Sequence, residues 1–519
     1  MTAREGREER KGAKGAKGAR RGKREPTAMT YTQRAASAGT ARLPELPPVT
    51  VADLDLDGPG GSVLALRPAP GGPPLEAGDV YALVRFRGRP VATVRARVPA
   101  GEDPARVLVA AFRAQWDDRD GSGHRDGRDD RGRGSSRGGG ESRGGTEAAA
   151  PAPPRTTVVV ATRDGAGRLA GALDSLLAQD HPDYRVLVVE NVPRTTAVRE
   201  LVESRYAGRV DLVRELRPGL AVAHNRGLAA ADGTVVAFTD DDVVADPHWL
   251  TALTTPFATD PGLGCVTGLI LPARLRTPAQ ILLESHGGFA KGFRTRLYDP
   301  AGPPAGEPLF PFTAGSFGSG ANMAFRADAL RAVGGFDPAT GTGTPAKGGD
   351  DLYAFVRILS AGHRLRYTPE ALIWHHHRET ARDLRDQAYG YGAGLTAYLT
   401  AVLVRRPALL PALLARLPRG LAHARAITAP RAHASGAGPS GAADAGSRNS
   451  GGKGTDGTGG EGTGADGTWV AGAPGAHGAQ SYPWPRSLSR LERRGMLYGP
   501  FGYAHARVRA WARESGRRT

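Results

Sequence analysis

Residues 156–162 (TTVVVAT), 185–190 (RVLVVE), 210–214 (VDLVR) and 234–239 (TVVAFT) are four short runs rich in valine and other apolar side chains. Runs of this kind are typical of strands buried in a parallel sheet. Between them lie segments whose leucines and alanines recur at helical spacing. Strand and helix therefore alternate, and the sequence predicts an α/β fold with a doubly wound sheet flanked by helices.

Three consecutive aspartates, Asp240, Asp241 and Asp242, follow the fourth run. Ligands bind such sheets at the carboxyl ends of the strands. Adjacent carboxylates repel one another, and a hard divalent cation such as Mg²⁺ or Mn²⁺ relieves that repulsion. Because side chains alternate along an extended chain, Asp240 and Asp242 should point one way and Asp241 the other. A solvated acidic turn is the alternative, but the position at a buried strand's end favours a metal site.

Three further segments carry groups that are ambiguous when taken singly. The acidic pair at 350–351 precedes a predicted helix, so its members are either helix caps or a general base. His375 and His377 follow an apolar run and share one face by alternation, either as metal ligands or as surface histidines. The glycine-rich segment 314–322 either admits a ligand close to its backbone or is a plain loop. It does not match a phosphate-binding loop.

Composition indicates an anionic partner, because the 519 residues carry a net charge of +17. The charge concentrates at the ends: residues 4–25 hold ten Lys or Arg against four Glu, and residues 482–519 hold nine Arg against two Glu. The single cysteine, Cys265, excludes an internal disulfide and suits a reducing compartment. It lies in an apolar run and is predicted to be buried. Without an apolar leader or a run of about 20 apolar residues, we expect a soluble or peripheral protein.

Shifts in composition divide the chain into seven segments. They are a disordered basic tail (1–45), a small α+β module (46–116), a disordered linker (117–154), the α/β domain (155–378), C-terminal helices (379–428), a glycine-rich linker (429–481) and a basic amphipathic segment (482–519). The module is predicted to contain a hairpin that turns at 87–89 and a helix over 104–116. The C-terminal helices either pack on the α/β domain or lie at a membrane interface.

Taken in order, the motifs of the α/β domain resemble those of the family 2 glycosyltransferases. The resemblance implies the GT-A fold, with a doubly wound mixed sheet flanked by helices. The resemblance extends from about Thr156 to Arg378, under half of the chain. Its motifs are VVVATRD (158–164), SLLAQD (175–180), VVEN (188–191), AHNRGL (223–228), DDD (240–242), VGGFD (333–337), DD (350–351) and WH (374–375). Glu190 replaces an aspartate that is usual in the family, so the identity of the donor base stays open.

The resemblance implies that a sugar passes from a nucleoside-diphosphate donor to an acceptor hydroxyl with inversion at the anomeric carbon. Mn²⁺ or Mg²⁺, held by Asp240, Asp242 and His375, would neutralise the leaving diphosphate. Asp351 would be the general base. The implied contacts with the nucleotide sugar are Thr162, Arg163, Glu190, Asn225, Arg226 and Asp241, and those with the donor sugar or the acceptor are Gly320, Asn322 and Asp350.

The expected partners are a nucleoside-diphosphate sugar, a carbohydrate or lipid-linked acceptor, and an anionic membrane surface that attracts the basic tails; no specific nucleic acid is expected. We expect a cytoplasmic protein, in part peripheral at the inner face of the membrane, that builds cell-surface glycan or glycolipid. Two other classes stay open. A nucleotidyltransferase needs a basic glycine-rich loop after the first strand, and residues 162–168 approximate one poorly. The second class is a nucleotide-sugar or polyanion-binding scaffold without turnover; polyanion binding alone would explain the basic tails, but not the aspartates.

Overall fold

The computed structural model describes residues 43–121, 151–304, 307, 309–411, 413–416, 418, 482 and 484–515. The predicted basic tail lies outside the described residues except for its last three positions. The predicted linkers at 117–154 and 429–481 also lie mostly outside them. The described residues from Leu43 onwards form one compact unit.

The N-terminal module is a four-stranded sheet with a helix packed on it. Its strands are β1 (Val49–Leu56), β2 (Val63–Pro68), β3 (Gly78–Phe86) and β4 (Arg89–Val98), in the order β2-β1-β3-β4, and its helix is α1 (Pro104–Gly121). The predicted hairpin is present, and its turn residues Arg87 and Gly88 both have positive φ, as a type I′ turn requires. The strands β1 and β2 were not predicted, and α1 runs five residues beyond its predicted end.

The main sheet has nine strands among the described residues and is mixed, as predicted. Its strands are β5 (Thr156–Thr162), β6 (Tyr184–Asn191), β7 (Val210–Glu215), β8 (Val235–Asp240), β9 (Val243–Ala245), β10 (Leu263–Pro272), β11 (Arg296–Tyr298), β12 (Asn322–Arg326) and β13 (Arg364–His375). The order is β11-β13-β10-β12-β8-β5-β6-β7, and β9 pairs with β13. The four predicted strands, β5 to β8, are parallel to one another, while β12 runs antiparallel to both β8 and β10.

Helices cover both faces of this sheet. They are α2 (Ala166–Leu176), α3 (Ala197–Arg205), α4 (Leu220–Ala230), α5 (Trp249–Thr259), α6 (Pro278–Ser285), α7 (Ala327–Ala332) and α8 (Asp350–Ser360). Alternate side chains of β5 serve two separate cores. Val158 and Val160 pack with residues of α2, α3 and α5, whereas Val159 packs with residues of α4, α7 and α8. This two-sided burial explains why the strands are almost continuously apolar. Cys265 is fully buried, as predicted.

Two long helices, α9 (Ala381–Arg405) and α10 (Arg486–Ser515), pack on the α/β domain and on each other. At Gly392 and Gly495, an added Cβ atom would meet backbone atoms of the opposite helix, so the two backbones approach closely. The Tyr398 hydroxyl of α9 donates a hydrogen bond to the carbonyl oxygen of Phe312 in the α/β domain. Of the two alternatives for the C-terminal helices, packing on the domain is therefore correct for α9.

Among the described residues, no single helix is long and apolar enough to cross a bilayer. The helices Ala381–Arg405 and Pro407–Arg416 are long and apolar enough only when they are counted as one, and the chain bends by 110° between them.

Candidate active site

Three of the predicted ligands meet at one edge of the main sheet. Asp240 ends β8, Asp242 follows it, and His375 ends β13, where it pairs with Val243 of β9. One ligand atom from each of the three lies within 4.8 Å of the others. The distance from His375 Nε2 to Asp242 Oδ1 is 3.4 Å. Two carboxylate oxygens and an imidazole nitrogen are a donor set that suits Mn²⁺ or Mg²⁺.

The electrostatics of this cluster favour a bound cation. Desolvation raises the pKa of Asp240 well above its usual range, and the charges of Asp242, Asp241 and Asp350 raise it further. The guanidinium of Arg378, 3.6 Å from Asp242 Oδ2, opposes this shift only in part, so keeping the Asp240 carboxyl ionised is costly without a further positive charge. Burial lowers the pKa of His375 to about 4, although the Asp242 carboxylate opposes the shift. The imidazole is thus neutral at physiological pH, as a metal ligand must be.

Asp241 has other partners than this cluster, as predicted, although the chain turns at 241–242 and does not continue as a strand. Its Oδ2 accepts a hydrogen bond of 2.5 Å from Thr162 Oγ1 at the end of β5. Arg168 of α2 lies 3.6 Å from the other carboxylate oxygen. A side chain at Gly165 would collide with Asp241 Oδ2, so the glycine leaves room for this link between β5 and β8. Sequence reasoning identified Thr162 and Asp241 but missed Arg168, because α2 carries no motif at that position.

Glu190 ends the buried part of β6 and has no exposed surface. Its Oε2 accepts a hydrogen bond of 2.8 Å from Arg214 Nε of β7, which forms an ion pair with it. The other oxygen, Oε1, has no hydrogen-bond partner among the described residues. Two further predicted contacts are exposed to solvent: Arg163 directly follows β5, and Arg226 lies within α4. Their contact with a nucleotide sugar stays a prediction.

The side-chain amides of two predicted site residues, Asn225 and Asn322, form hydrogen bonds within the protein. The Asn225 amide accepts a hydrogen bond from the backbone N–H of Phe336 and donates one to its carbonyl oxygen. Asn322 has no exposed surface; it accepts from Trp249 Nε1 and donates to the carbonyl oxygens of Leu269 and Ala371. Because both hydrogens of the Asn322 amide are already donated inside the sheet, its predicted contact with donor sugar or acceptor is not supported.

Asp351, the predicted base, lies in the first turn of α8. Its Oδ2 accepts a hydrogen bond of 2.8 Å from the backbone N–H of Gly320, and its Oδ1 accepts one of 2.8 Å from Leu352. Burial, the largest cause, and the charge of the neighbouring Asp350 together raise the pKa of Asp351 to about 6, against the opposing effect of the two backbone hydrogen bonds. A carboxylate with such a pKa is well matched to proton transfer near neutral pH. Gly320 therefore orients Asp351.

Asp350 is buried next to the base and is also close to the metal cluster. Its Oδ2 lies 3.4 Å from His224 Nδ1, beyond a hydrogen bond. The charge of Asp350 acts on both Asp240 and Asp351, so the two acidic motifs share one site. The structure thus brings together two motifs that are more than a hundred residues apart in the sequence.

Two residues that belong to no motif lie within electrostatic range of Asp351. Desolvation lowers the pKa of Lys291, and the Asp351 charge opposes that shift. Desolvation raises the pKa of Tyr391, with a further contribution from Asp351. Both side chains are therefore neighbours of the predicted base. Neither residue belongs to a motif. Lys291 lies on the segment after α6 and Tyr391 lies on α9, and both segments come close to Asp351 only when they pack on the domain.

Fold and site together define an α/β protein of the GT-A type. Residues 153–388 match the family model described as "Glycosyltransferase like family 2". This part of the chain therefore belongs to the family 2 glycosyltransferases.

Two curated relatives with glycosyltransferase names are similar to part of this chain. The pre-mycofactocin glycosyltransferase of Mycobacterium tuberculosis is 30% identical over 237 residues, which are 46% of this chain and 46% of that protein. The glucosyl-dolichyl phosphate glucuronosyltransferase of Haloferax volcanii is 24% identical over 216 residues, covering 39% of this chain and 62% of that protein. The chain thus spans about half the length of the first relative and under two thirds of the second.

Two solved glycosyltransferases are also similar to this chain. A mannosyltransferase from Pyrobaculum calidifontis, in complex with GDP-Man and Mn²⁺, is 25% identical with a TM-score of 0.37, covering 56% of this chain and 78% of that one. GalNAc-T7, with UDP, GalNAc and Mn²⁺, is 16% identical with a TM-score of 0.34, covering 46% of this chain and 47% of that one.

Proposed function

We propose that this chain is a metal-dependent, inverting glycosyltransferase that moves a sugar from a nucleoside-diphosphate donor to an acceptor hydroxyl. The observation that carries the proposal is the meeting of Asp240, Asp242 and His375, together with Asp351, a carboxyl group with a pKa of about 6. Asp350 acts electrostatically on both Asp240 and Asp351. One part of this site is suited to a cation, and the other is suited to accept a proton. Membership of a glycosyltransferase family supplies the reaction class.

The residues of the site divide the chemistry between them. Mn²⁺ or Mg²⁺, held by Asp240, Asp242 and His375, would supply positive charge to a leaving diphosphate. Asp351 takes the proton of the acceptor hydroxyl, whose oxygen then attacks the anomeric carbon on the side opposite the diphosphate. The bond from the anomeric carbon to the diphosphate oxygen breaks, and this single displacement inverts the configuration. Inverting glycosidases follow the same stereochemical logic.

The donor nucleotide is proposed to lie over the carboxyl ends of β5 and β6. Thr162 and Asp241 already form one hydrogen-bonded unit there, and Arg168 gives that unit a nearby positive charge. The unpaired oxygen of Glu190 is suited to accept a hydrogen bond from the N–H of a base. Glu190 is therefore our proposed determinant of base preference.

The acceptor is proposed to be lipid-linked or to belong to a cell-surface glycan, with the enzyme held at an anionic membrane. What supports a membrane is the outer side of α10, where Leu497, Phe501 and Val508 are 76%, 73% and 64% exposed. Exposed arginines of the same helix, Arg493 and Arg494, lie beside these apolar side chains. An apolar stripe with basic neighbours is typical of helices that lie in the interface of anionic bilayers.

The proposal is tested by measuring nucleoside-diphosphate release from UDP-, GDP- and dTDP-sugars with Mn²⁺, with Mg²⁺ and with EDTA. We expect slow metal-dependent release from one donor and its loss in Asp242→Ala. Asp183→Ala, which removes an exposed aspartate outside the site, is the matched control and should behave as wild type. Acceptors to add include lipid-linked sugars and pre-mycofactocin, the compound in the name of the Mycobacterium relative.

Two other outcomes would contradict the proposal. Folded protein that binds a nucleotide sugar but never releases the diphosphate, with any acceptor, would be a nucleotide-sugar-binding scaffold. If folded protein binds no donor at all, polyanion binding would be the remaining candidate function, because the chain is strongly basic.

A further inference from the structure

A buried row of polar side chains connects the metal cluster to the N-terminal module. His375 Nδ1 lies 3.1 Å from His377 Nδ1, and His377 Nε2 lies 3.1 Å from Glu284 Oε2 of α6. Tyr81 of β3 donates a hydrogen bond of 3.3 Å to Glu284 Oε1. All four residues are buried, with exposed fractions from 3% to 8%. The row therefore extends from the metal cluster to a residue outside the family match at 153–388.

The chemistry of this row fixes the direction of its hydrogen bonds. An ionised carboxylate only accepts, so His377 must donate to Glu284 through an Nε2–H group. A neutral His377 then has a lone pair on Nδ1, which accepts from an Nδ1–H group of His375. The remaining nitrogen of His375, Nε2, consequently carries a lone pair, and this is the nitrogen that faces Asp242. Burial and the adjacent Glu284 raise the pKa of Tyr81, so its phenol stays a donor at the far end.

Packing around the two histidines holds their rings in place. Phe289 contacts both, with ring centroids 5.3 Å from His375 and 5.5 Å from His377. The Gln280 amide donates to the carbonyl oxygen of His377, and Gln280 also completes a capping box with Thr277 at the start of α6. The helix that presents Glu284 is thus tied to the histidine segment at a second point. Ring orientation and hydrogen-bond direction are determined by the same small group of residues.

We propose that His377, Glu284 and Tyr81 are positioning residues that hold His375 in the tautomer and orientation that accept a metal ion. The N-terminal module is then a functional part of the metal site, because it supplies Tyr81. This inference rests on the proposed metal-dependent function. Outer partners that orient a ligating histidine typically change metal affinity by about 10- to 100-fold when they are removed.

The test uses the full chain and measures Mn²⁺ binding by electron paramagnetic resonance, in which free Mn²⁺ gives the signal. Glu284→Gln removes the acceptor-only carboxylate and offers His377 an N–H group in its place, so it permits the opposite tautomer. We expect the Mn²⁺ dissociation constant to rise about tenfold or more. Tyr81→Phe should raise it by a smaller factor.

The matched control for the tyrosine is Tyr206→Phe. Tyr206 is fully buried and donates to Ala170 and Asp174, far from the metal cluster in the fold. Both tyrosine variants lose one buried hydroxyl, so each should lower the thermal midpoint, but only Tyr81→Phe should weaken Mn²⁺ binding. Equal Mn²⁺ affinity in wild type, Glu284→Gln and Tyr81→Phe would overturn the inference. If Glu284→Gln does not fold, the Mn²⁺ affinities of Tyr81→Phe and Tyr206→Phe still test the inference.

A second readout reports the tautomer itself. In protein labelled with ¹⁵N-histidine, the nitrogen shifts of metal-free wild type should show His375 protonated at Nδ1, and Glu284→Gln should shift that population towards Nε2. An Nε2-protonated His375 in wild type would overturn the inference. Failure of the proposed function is distinguishable, because wild type would then bind no Mn²⁺, or Asp242→Ala would leave Mn²⁺ binding unchanged.

Discussion

At the scale of single residues, the carboxyl group of Asp351 combines two opposed influences. Burial and Asp350 raise its pKa to about 6, while the N–H groups of Gly320 and Leu352 stabilise its ionised form and fix its orientation. A general base must be ionised to act. Activity should therefore rise with pH up to about pH 6 and level off above it.

Replacement of the carboxyl group tests this role. We expect Asp351→Asn to lower kcat by about 10²- to 10⁴-fold and to remove the pH dependence near pH 6, with donor binding retained. The matched control is Asp328→Asn, because Asp328 also lies in the first turn of a helix and accepts from the next residue's N–H. A wild-type pH profile in Asp351→Asn would show that another group takes the proton.

How far the site could be predicted also depends on single residues. Asp241 was predicted to separate from Asp240 and Asp242 by alternation along an extended chain. The separation is present, but β8 ends at Asp240 and the chain turns at Asp241 and Asp242. Neither Lys291 nor Tyr391 was predictable, since they lie on segments that reach Asp351 only through tertiary packing. The partners of the Asn322 amide were not predictable for the same reason, because they lie on other elements of the fold.

At the scale of elements, α10 has two different sides. Gly495, Gly499 and Gly502 face neighbouring backbone, where an added Cβ would clash, and they let the helix pack closely. Leu497 and Phe501 lie on the exposed side. The sequence predicted an amphipathic helix here, but it did not distinguish the packed side from the free one, because glycine carries no hydropathy signal.

Membrane binding through the exposed side is our prediction for this element. The triple variant Leu497→Ser, Phe501→Ser, Val508→Ser should lose most co-sedimentation with phosphatidylglycerol-containing vesicles, since each buried apolar side chain contributes about 1.5–3 kcal/mol. Wild-type binding should weaken with salt and be absent on phosphatidylcholine alone. The matched control is the triple variant Val63→Ser, Leu64→Ser, Leu297→Ser, because these apolar side chains are also exposed but lie outside α10. Equal loss in both triple variants, or none in either, would contradict the prediction.

The elements of the α/β domain were predictable to within about one residue for β5 to β8, because two-sided burial makes them continuously apolar. In the N-terminal module, β1 and β2 were not predicted. β1 alternates apolar residues with acids, and β2 is exposed or half-buried along its whole length, so neither has a strong apolar signal. Their pairing depends on β3, which β1 joins in parallel after a long connection.

At the scale of the whole molecule, Arg85 fastens the N-terminal module to the α/β domain. Its guanidinium contacts Asp53 of the module at 2.8 Å and Asp246 of the α/β domain at 2.7 Å, and the residue is 8% exposed. Removing it leaves two partly buried carboxylates without their counter-charge. Removing one partner of a buried ion pair typically costs about 3–5 kcal/mol.

We therefore expect Arg85→Met to lower the urea midpoint of unfolding substantially, with module and domain still unfolding in one transition. Arg87 provides a matched control two residues along the chain, because its ion pair with Asp57 is exposed. Arg87→Met should leave the midpoint almost unchanged, since exposed pairs contribute little. Similar midpoints for the two variants would show that Arg85 does not hold the module in place.

The position of Tyr81 has a consequence for protein engineering. Chimeric enzymes are commonly built by exchanging the segment that a family profile recognises, which here is 153–388. A graft with those limits would carry both acidic motifs and the histidines into a new host, but it would leave Tyr81 and α10 behind. The buried row from His375 to Glu284 would then lack the hydroxyl that donates to Glu284. The natural unit of exchange therefore extends from Leu43 to the end of α10.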